Sequence, residues 1–303
     1  MTTNPLPRPL PRTAALIVNA KSRSGRDLFV EARAKLEAAG LVLSSAHAVE
    51  DPSEIPATVR QIVADGTPMV IVGGGDGTLS CTIDELVGTD CVFALLPLGT
   101  ANSFARTLKL PLDLDGAVAT IADGHRRRVD LGMIDDDYFV NGAAIGLAAL
   151  IGETVPHALK RYLGRVGYLL WALRCSIRFR AFRLMIDDGE TQRRMWSTEV
   201  RILNGRYHGG VELSDNADVA SGEIVIQAVV GRSRVRLAAD WYAKFFRLRD
   251  RHAHTEEFRG CSFRIETTPN MKISIDGEVL AQTPVTAKIA ARAVDVAVGP
   301  PAR

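Results

Sequence analysis

Read as a string of apolar and polar positions, the chain falls into two stretches with different rhythms. In the first third, continuous apolar runs alternate with helical patterns. AALIVN (14–19), LVLSSAHAV (41–49), PMVIV (68–72) and CVFALLP (91–97) read as strands, the unbroken ones buried on both faces. Between the first two, Leu28, Ala32, Leu36 and Ala39 recur at helical spacing and stop at Gly40, a natural C-terminal residue. Further helices are expected over 53–64, capped by Asp51 or Ser53, over 78–88, and as short pieces over 101–108 and 113–123. Strand–helix alternation of this kind predicts an α/β domain with a mostly parallel sheet covered by helices.

Beyond about residue 130 the rhythm shortens. YFVNGAA, FRLMID, TEVRILN, EIVIQAVV, SFRIET, MKISID, VTAKIA and VDVAVG read as short strands, interrupted by helices near 156–175 and 234–246. The expectation is a C-terminal, mainly antiparallel β-sandwich. The chain is thus divided into a flexible tail over 1–12, the α/β domain over 13–131 and the sandwich over 132–300, whose last strand is free to return to the first domain.

Composition adds one asymmetry. The 303 residues are 47% hydrophobic and 24% charged, as in an ordinary globular protein, and the net charge is +2. Residues 1–150 carry 13 Lys/Arg against 18 Asp/Glu, a net of −5, whereas residues 151–303 carry 24 against 17, a net of +7. An acidic half joined to a basic half suggests two surfaces with different partners, unless the arginines are simply a solvated face. Cys81, Cys91, Cys175 and Cys261 stand apart with no metal-ligand spacing, which fits reduced thiols in the cytoplasm. The proline-rich start lacks a signal pattern, and the longest near-apolar run (138–152) is shorter than the roughly 20 residues of a spanning helix.

The candidate chemistry begins at VIVGGGDGT (70–78), where a buried strand runs into four glycines among five positions, Gly73 to Gly77, with Asp76 the exception. Glycine has the largest backbone entropy to lose on folding, so something requires a bare main chain there. A loop at the C-terminal end of a parallel strand, leading into a helix, is where open α/β sheets bind ligands, and helix starts attract anions. Phosphate is the first expectation. The P-loop lysine is missing, and Thr78 and Ser80 stand where the dinucleotide fingerprint would need a glycine. A tight turn without a ligand is the bland alternative.

At these residues the chain resembles the diacylglycerol-kinase-like lipid kinases, which share a G-G-D-G-T signature with the NAD kinases. VNAKSRSG (18–25) is similar to the family's N-P-x-S-G-type element. LPLGTANSFARTLKLP (96–111) resembles the P-L-G-T-x-N-D-F-A-R block, VDLGMIDDDYFVNGAAIGL (129–147) the V-D-L-G…F-x-N stretch, and IDGE (275–278) the late D-G-E. The departures are Ser80-Cys81 for the usual Asn-Glu, Ser103 for an aspartate, and ADVASG (217–222) in place of a more acidic segment.

The resemblance implies an α/β nucleotide-binding domain, a β-sandwich lipid-substrate domain, and transfer of the γ-phosphoryl group of ATP, with Mg²⁺, to a lipid hydroxyl such as that of diacylglycerol. Gly74, Gly75, Gly77 and Thr78 would hold the phosphates; Asn19, Ser24 and Gly25 would line the nucleotide site, completed by Thr100 and Asn102. Asp276 would act as general base beside Glu278, which would help to hold Mg²⁺, and Asp76 is the rival base; an ordinary D-G hairpin turn is the alternative for 276–277. Of the family's structural-magnesium ligands only Asp218 and Asp215 would remain. Phe104, Arg106, Phe139 and Asn141 are candidates to line the acceptor.

The lipid side points to a peripheral contact with an anionic membrane. Within 156–183, Leu159, Leu163, Val166, Leu170 and Leu173 form a stripe flanked by Lys160, Arg161, Arg165 and Arg174, with Tyr168, Trp171, Arg178, Arg180 and Arg183 nearby. The same stripe also fits a core face. Two other functions stay open: phosphorylation of a soluble nucleotide in the manner of an NAD kinase, and a non-catalytic binding module. No nucleic-acid partner is expected, because aromatic-rich RNA-binding signatures are missing. The lipid and the oligomeric state, monomer or homodimer, are left open.

Overall fold

The computed structural model describes residues 8–21, 23–154, 171, 174–175, 179–245, 248 and 254–300. The chain divides into two compact units, Met1–Leu131 with Ala291–Arg303, and Gly132–Ala290.

The first unit is α/β. Strands β1 (Thr13–Asn19), β2 (Val42–Val49), β3 (Met69–Gly74) and β4 (Val92–Pro97) are all parallel and lie in the order β2–β1–β3–β4. Helices α1 (Arg23–Ala38), α2 (Ile55–Ala64), α3 (Asp76–Ile83), α4 (Ser103–Thr107) and α5 (Leu114–Asp123) alternate with them. The expected helix at 53–64 is two pieces: the Asp51 carboxylate caps a short 3-10 turn over Pro52–Glu54, and α2 follows. β3 and β4 are buried along their full length, which explains their uninterrupted apolar sequence. Leu16, Val18, Ile71, Ala94 and Leu96 pack with Leu36 of α1 and Ile121 of α5. The chain steps outward from β1 to β2, then returns to place β3 on the other side of β1. That reversal opens a crevice at the carboxyl ends of β1 and β3.

β5 (His125–Ile134) continues the chain across the boundary between the two units; Arg8 and Pro9 pair with its Arg126 and His125. In the second unit β5 ends in a hairpin with β6 (Asp137–Phe139), where the Phe139 ring fills the space above Gly132: a Cβ there would lie 2.0 Å from its Cζ. Then come β7 (Gly142–Gly146), α6 (Leu147–Thr154), β8 (Phe182–Asp187), β9 (Gln192–Leu203), the short pair β10 (Tyr207–His208) and β11 (Val211–Glu212), and β12 (Ile224–Val230). α7 (Arg234–Phe245), β13 (Thr255–Gly260), β14 (Ser262–Thr268), β15 (Lys272–Ile275), β16 (Glu278–Gln282) and β17 (Val285–Val298) complete it. Every pairing inside this unit is antiparallel. The far end of β17 belongs to the first unit, where Asp295 and Val296 run parallel to Val92 and Phe93.

β9 organises the second unit. Its first half pairs with β8, and its second half lies between β7 and β12, with an irregularity at Ser197–Glu199. Ile145, Phe182, Leu184, Val200, Ile202, Ile226, Phe263 and Ile273 form its apolar core. Within that core Arg201 is fully buried between Glu199 (2.6 Å) and Asp240 (2.9 Å), and stacks on Trp241 at 4.7 Å. The Trp241 indole N–H also donates to Glu199. This ion triad fastens α7 to β9, and removing one member of such a set costs about 3–5 kcal/mol. Among the described residues, no helix is long and apolar enough to cross a membrane.

Candidate active site

In the first unit, the glycine segment sits where the sheet order reverses. Gly74 closes β3, Gly75 is the N-cap of α3, and Asp76, Gly77 and Thr78 already lie in the first helical turn. The expected loop is therefore only a corner. Four glycines here have steric reasons. A Cβ on Gly74 would strike the Thr78 side chain at 2.6 Å, one on Gly99 the Cα of Gly75 at 2.4 Å, and one on Gly25 the carbonyl oxygen of Asn19 at 2.7 Å. Gly75 is held from the same side, its Cβ position 3.2 Å from the Cα of Gly99. Gly77 is different. A Cβ there would meet nothing within 4 Å, and its backbone is helical rather than left-handed.

Asn19, at the end of β1, donates from Nδ2 to Thr78 Oγ1 at 3.2 Å, joining the end of β1 to the first turn of α3. The second corner, 97–102, is built by Asn102 in a left-handed conformation (φ 47°). Its side chain accepts from the Gly99 N–H (3.0 Å) and donates to the Pro97 and Gly99 carbonyls. Leu98 N–H donates to the Gly74 carbonyl, and Asp76 Oδ1 accepts from Phe104 N–H at 3.3 Å, so the two corners form one body. Thr100 is exposed at the tip. Arg106, half-buried, braces the same corner through the Ala101 carbonyl; Phe104 is completely buried and does not form the surface of an acceptor site. The Ser24 side chain lies outside the described residues.

In the second unit, Asp276 and Gly277 form the two-residue turn between β15 and β16, with φ of 45° and 101°. Two positive φ values in succession are what a tight hairpin requires, so the hairpin reading is correct as far as it goes. The carboxylate adds something a turn does not need. Its Oδ2 accepts from Val140 N–H (2.8 Å), and its Oδ1 from Asn141 (3.1 Å) and Gly142 (3.0 Å). Asp276 N–H returns a bond to the Gly142 carbonyl. Burial raises the Asp276 carboxyl above its ordinary range, against the downward pull of these amides and of the His208 charge.

Beside it, Asn141 is buried and its Oδ1 has no hydrogen-bond partner among the described residues. Glu278 is exposed at the start of β16. Phe139 is core, locked over Gly132, which corrects its expected place beside an acceptor. Asp215 and Asp218 are both exposed, and Asp218 Oδ1 accepts from Ala220 N–H. Among the described residues no three His, Cys, Asp or Glu side chains gather to hold a metal ion. Of the 156–183 segment, Leu159, Lys160, Arg161, Leu163, Arg165, Val166, Tyr168, Leu170, Leu173 and Arg178 lie outside the described residues. Trp171 packs on the core, and Cys175 and Phe179 are buried in it.

Sequence reasoning missed the role of Asp130, whose carboxylate accepts the Arg292 N–H at 2.7 Å where β17 adopts a left-handed residue. The V-D-L-G stretch held the signal, since Asp130 and Gly132 interrupt an otherwise apolar strand.

Comparison with known proteins agrees with this architecture. Residues 13–134 match the diacylglycerol kinase catalytic domain, and residues 142–298 match the YegS C-terminal NAD kinase beta sandwich-like domain. A diacylglycerol kinase of Staphylococcus epidermidis is 27% identical over 286 residues, 90% of this chain and 88% of that protein. One from Staphylococcus aureus is 26% identical over 297 residues, covering 94% and 92%. The crystal structure of a diacylglycerol kinase from Bacillus anthracis str. Sterne superposes with a TM-score of 0.75 at 22% identity, over 95% of this chain and 97% of that one. Another crystal structure from the same organism reaches 0.81 at 24% identity, covering 95% of each chain. With an α/β unit carrying the glycine corner and an antiparallel unit carrying the anchored aspartate, the chain belongs to the family of the YegS C-terminal NAD kinase beta sandwich-like domain, here joined to a match to the diacylglycerol kinase catalytic domain, and is a kinase, a phosphotransferase with an alcohol acceptor.

Proposed function

We propose that the protein transfers the γ-phosphoryl group of magnesium-bound ATP to a hydroxyl of a membrane lipid, with diacylglycerol the first candidate, in phospholipid metabolism. The observation that carries this reading is Gly77. Among the glycines with open surroundings, all but Gly77 and Gly299 have a positive φ that accounts for them. Gly77 has neither a steric nor a conformational need to be glycine, and in a helix it costs about 1 kcal/mol relative to alanine. A ligand phosphate approaching the main chain supplies the missing reason.

Within the first unit the Asp76 and Gly77 N–H groups, at the start of α3, have no carbonyl one turn earlier to bind and face the phosphates. Asn19 and Thr78 fix the end of β1 against α3, which keeps those donors in place. Magnesium enters with the nucleotide as part of the substrate and neutralises charge on the transferring group. In the second unit, the Asp276 carboxylate takes the proton of the acceptor hydroxyl as its oxygen bonds the γ-phosphorus and the bond from that phosphorus to the β–γ bridging oxygen breaks, ADP being the leaving group. The three amides hold the carboxylate at a fixed angle, and burial gives it more affinity for that proton than an exposed aspartate has. Asn141 Oδ1 is an acceptor awaiting a donor and would orient the same hydroxyl.

The curated relatives named diacylglycerol kinase support the substrate class. The test is incubation of the purified chain with ATP and Mg²⁺ against dispersed diacylglycerol, phosphatidylglycerol, a sphingoid base and NAD, with products read by mass spectrometry. A phosphorylated lipid is expected. Phosphorylation of NAD alone, or of none of these, would overturn the reading.

A further inference from the structure

Exposed arginines differ in whether a carboxylate meets them: Arg259 and Arg264 of the second unit pair with Glu257 and Glu266. In the first unit the exposed Arg26, Arg33 and Arg60 are each paired with a glutamate. In the second, Arg183, Arg194, Arg232 and Arg236 are exposed, and among the described residues none of them meets a carboxylate. They gather around one ring. Arg183 lies directly across from Trp196 in the β8–β9 pairing, with its guanidinium 5.4 Å from the indole centroid. Arg232 stacks on the same indole at 4.4 Å. Gly231 N–H donates to the Trp196 carbonyl (2.7 Å), and the Arg236 guanidinium lies over Gly231. Arg194 projects from the same sheet face as Trp196, two positions along β9.

The carboxylates on that face are accounted for. Glu266 is taken by Arg264, and Asp187 turns its Oδ1 to the Gly189 N–H at the far end of the hairpin. Next to the arginines, α7 starts with Arg234 and Arg236 and has no acidic residue in its first turn, the reverse of what a helix start prefers. The inward side of α7 is fixed by Leu237, Asp240 and Trp241. Its outward side carries Val235 (77% exposed) and Tyr242 (60% exposed), two turns apart on one stripe with Ala238 and Ala239.

We infer that the outer side of α7 together with the Arg183–Trp196–Arg232 stack is the surface by which this protein sits on a bilayer containing anionic lipids. Unpaired guanidinium groups meet the phosphates, the indole lies at head-group level, and Val235 and Tyr242 enter the acyl boundary. A nucleic-acid backbone would satisfy the arginines but would give the exposed valine nothing. The inference rests on the lipid-kinase reading for its purpose, and it adds residues 183–242 to the membrane contact expected at 156–183, most of which lies outside the described residues.

The experiment uses the full chain and vesicles of phosphatidylcholine, alone or with part replaced by phosphatidylglycerol, read by co-sedimentation. Binding is expected only with phosphatidylglycerol and is weakened by salt. The variant R183Q/R232Q/R236Q should lose on the order of a hundredfold in partition, about fivefold per arginine. R183K/R232K/R236K should keep most of it, and V235D alone should weaken it. Circular dichroism checks that each variant is folded, and phosphorylation of a short-chain, dispersed diacylglycerol should be unchanged in all of them. Equal sedimentation with both vesicle types, full binding by the folded glutamine variant, or a dimer in solution that V235D dissociates would each overturn the proposal. No transfer to the dispersed lipid by the unaltered chain would instead overturn the kinase substrate reading, while the vesicle result stood.

Discussion

Two aspartates, each beside a glycine, occupy opposite electrostatic situations in the two units. Asp76 sits half-buried at the start of α3 and gives one oxygen to a single amide, that of Phe104. Asp276 sits in a left-handed turn and gives both oxygens to three amides, with burial pushing its proton affinity up. The first carboxylate has one oxygen engaged by a main-chain amide. The second is held on both oxygens by neighbouring amides. A group that must bridge several ligands and a group that must take one proton along one direction are served by these different surroundings.

The largest expected effect tests that contrast. Asp276→Asn should lower phosphoryl transfer by about 10²–10⁴-fold while ATP binding, read by titration calorimetry, stays close to normal. An asparagine cannot accept on both sides, so Val140 N–H loses its partner and stability falls by about 1–3 kcal/mol, visible in a thermal melt. Near-normal turnover by this variant, with Asp76→Asn inactive, would transfer the base role to Asp76.

Next comes Gly77→Ala. Because the added methyl meets nothing in the protein, the variant should be as stable as the parent or up to about 1 kcal/mol more so. ATP affinity should nevertheless fall at least about tenfold, since the methyl occupies the approach of the phosphate. Unchanged affinity would return the segment to a purely architectural role.

A pH series sharpens the comparison further. The proton acceptor must be ionised, so transfer should rise with pH through a limb displaced above the ordinary aspartate range. For stability the sign is opposite. A carboxyl whose folded value is raised favours the fold below the unfolded pKa, and that contribution disappears as pH rises through the folded value. Asp276→Asn should remove this dependence from the denaturation midpoint.

The smallest effect separates Asp76→Asn from Asp76→Ala. Asparagine can still accept from Phe104 N–H, and alanine cannot, so the alanine variant should be less stable by about 1 kcal/mol in urea melts. Equal midpoints would show that the link between the two corners carries no weight.

The parallel sheet was legible because β1, β3 and β4 are buried on both faces and leave unbroken apolar runs. β13 and β16 went unread: TEEFRG and EVLAQ mix charged and polar residues with few apolar ones, since both strands are half-exposed. α6 was hidden because LAALIG continues the apolar run of β7 without a break. The corner at 70–78 announced itself through glycine, yet the helix begins inside it, because Asp76 and Gly77 adopt helical geometry despite poor propensity. The reach of Asp276 to residues 140–142 spans more than 130 positions, and no local pattern encodes such a contact. Asn102 was legible as a polar residue near the crevice but not as the left-handed keystone of its loop.

The ring of Phe139 resting in the notch of Gly132 has an implication for how relatives are recognised. Asp130 serves a main-chain contact with Arg292 and Gly132 makes room for an aromatic ring, and neither role involves a phosphate. A search keyed to that stretch retrieves molecules of the same shape, including any that have lost their chemistry. Distinguishing working enzymes from silent cousins falls to positions 77 and 276.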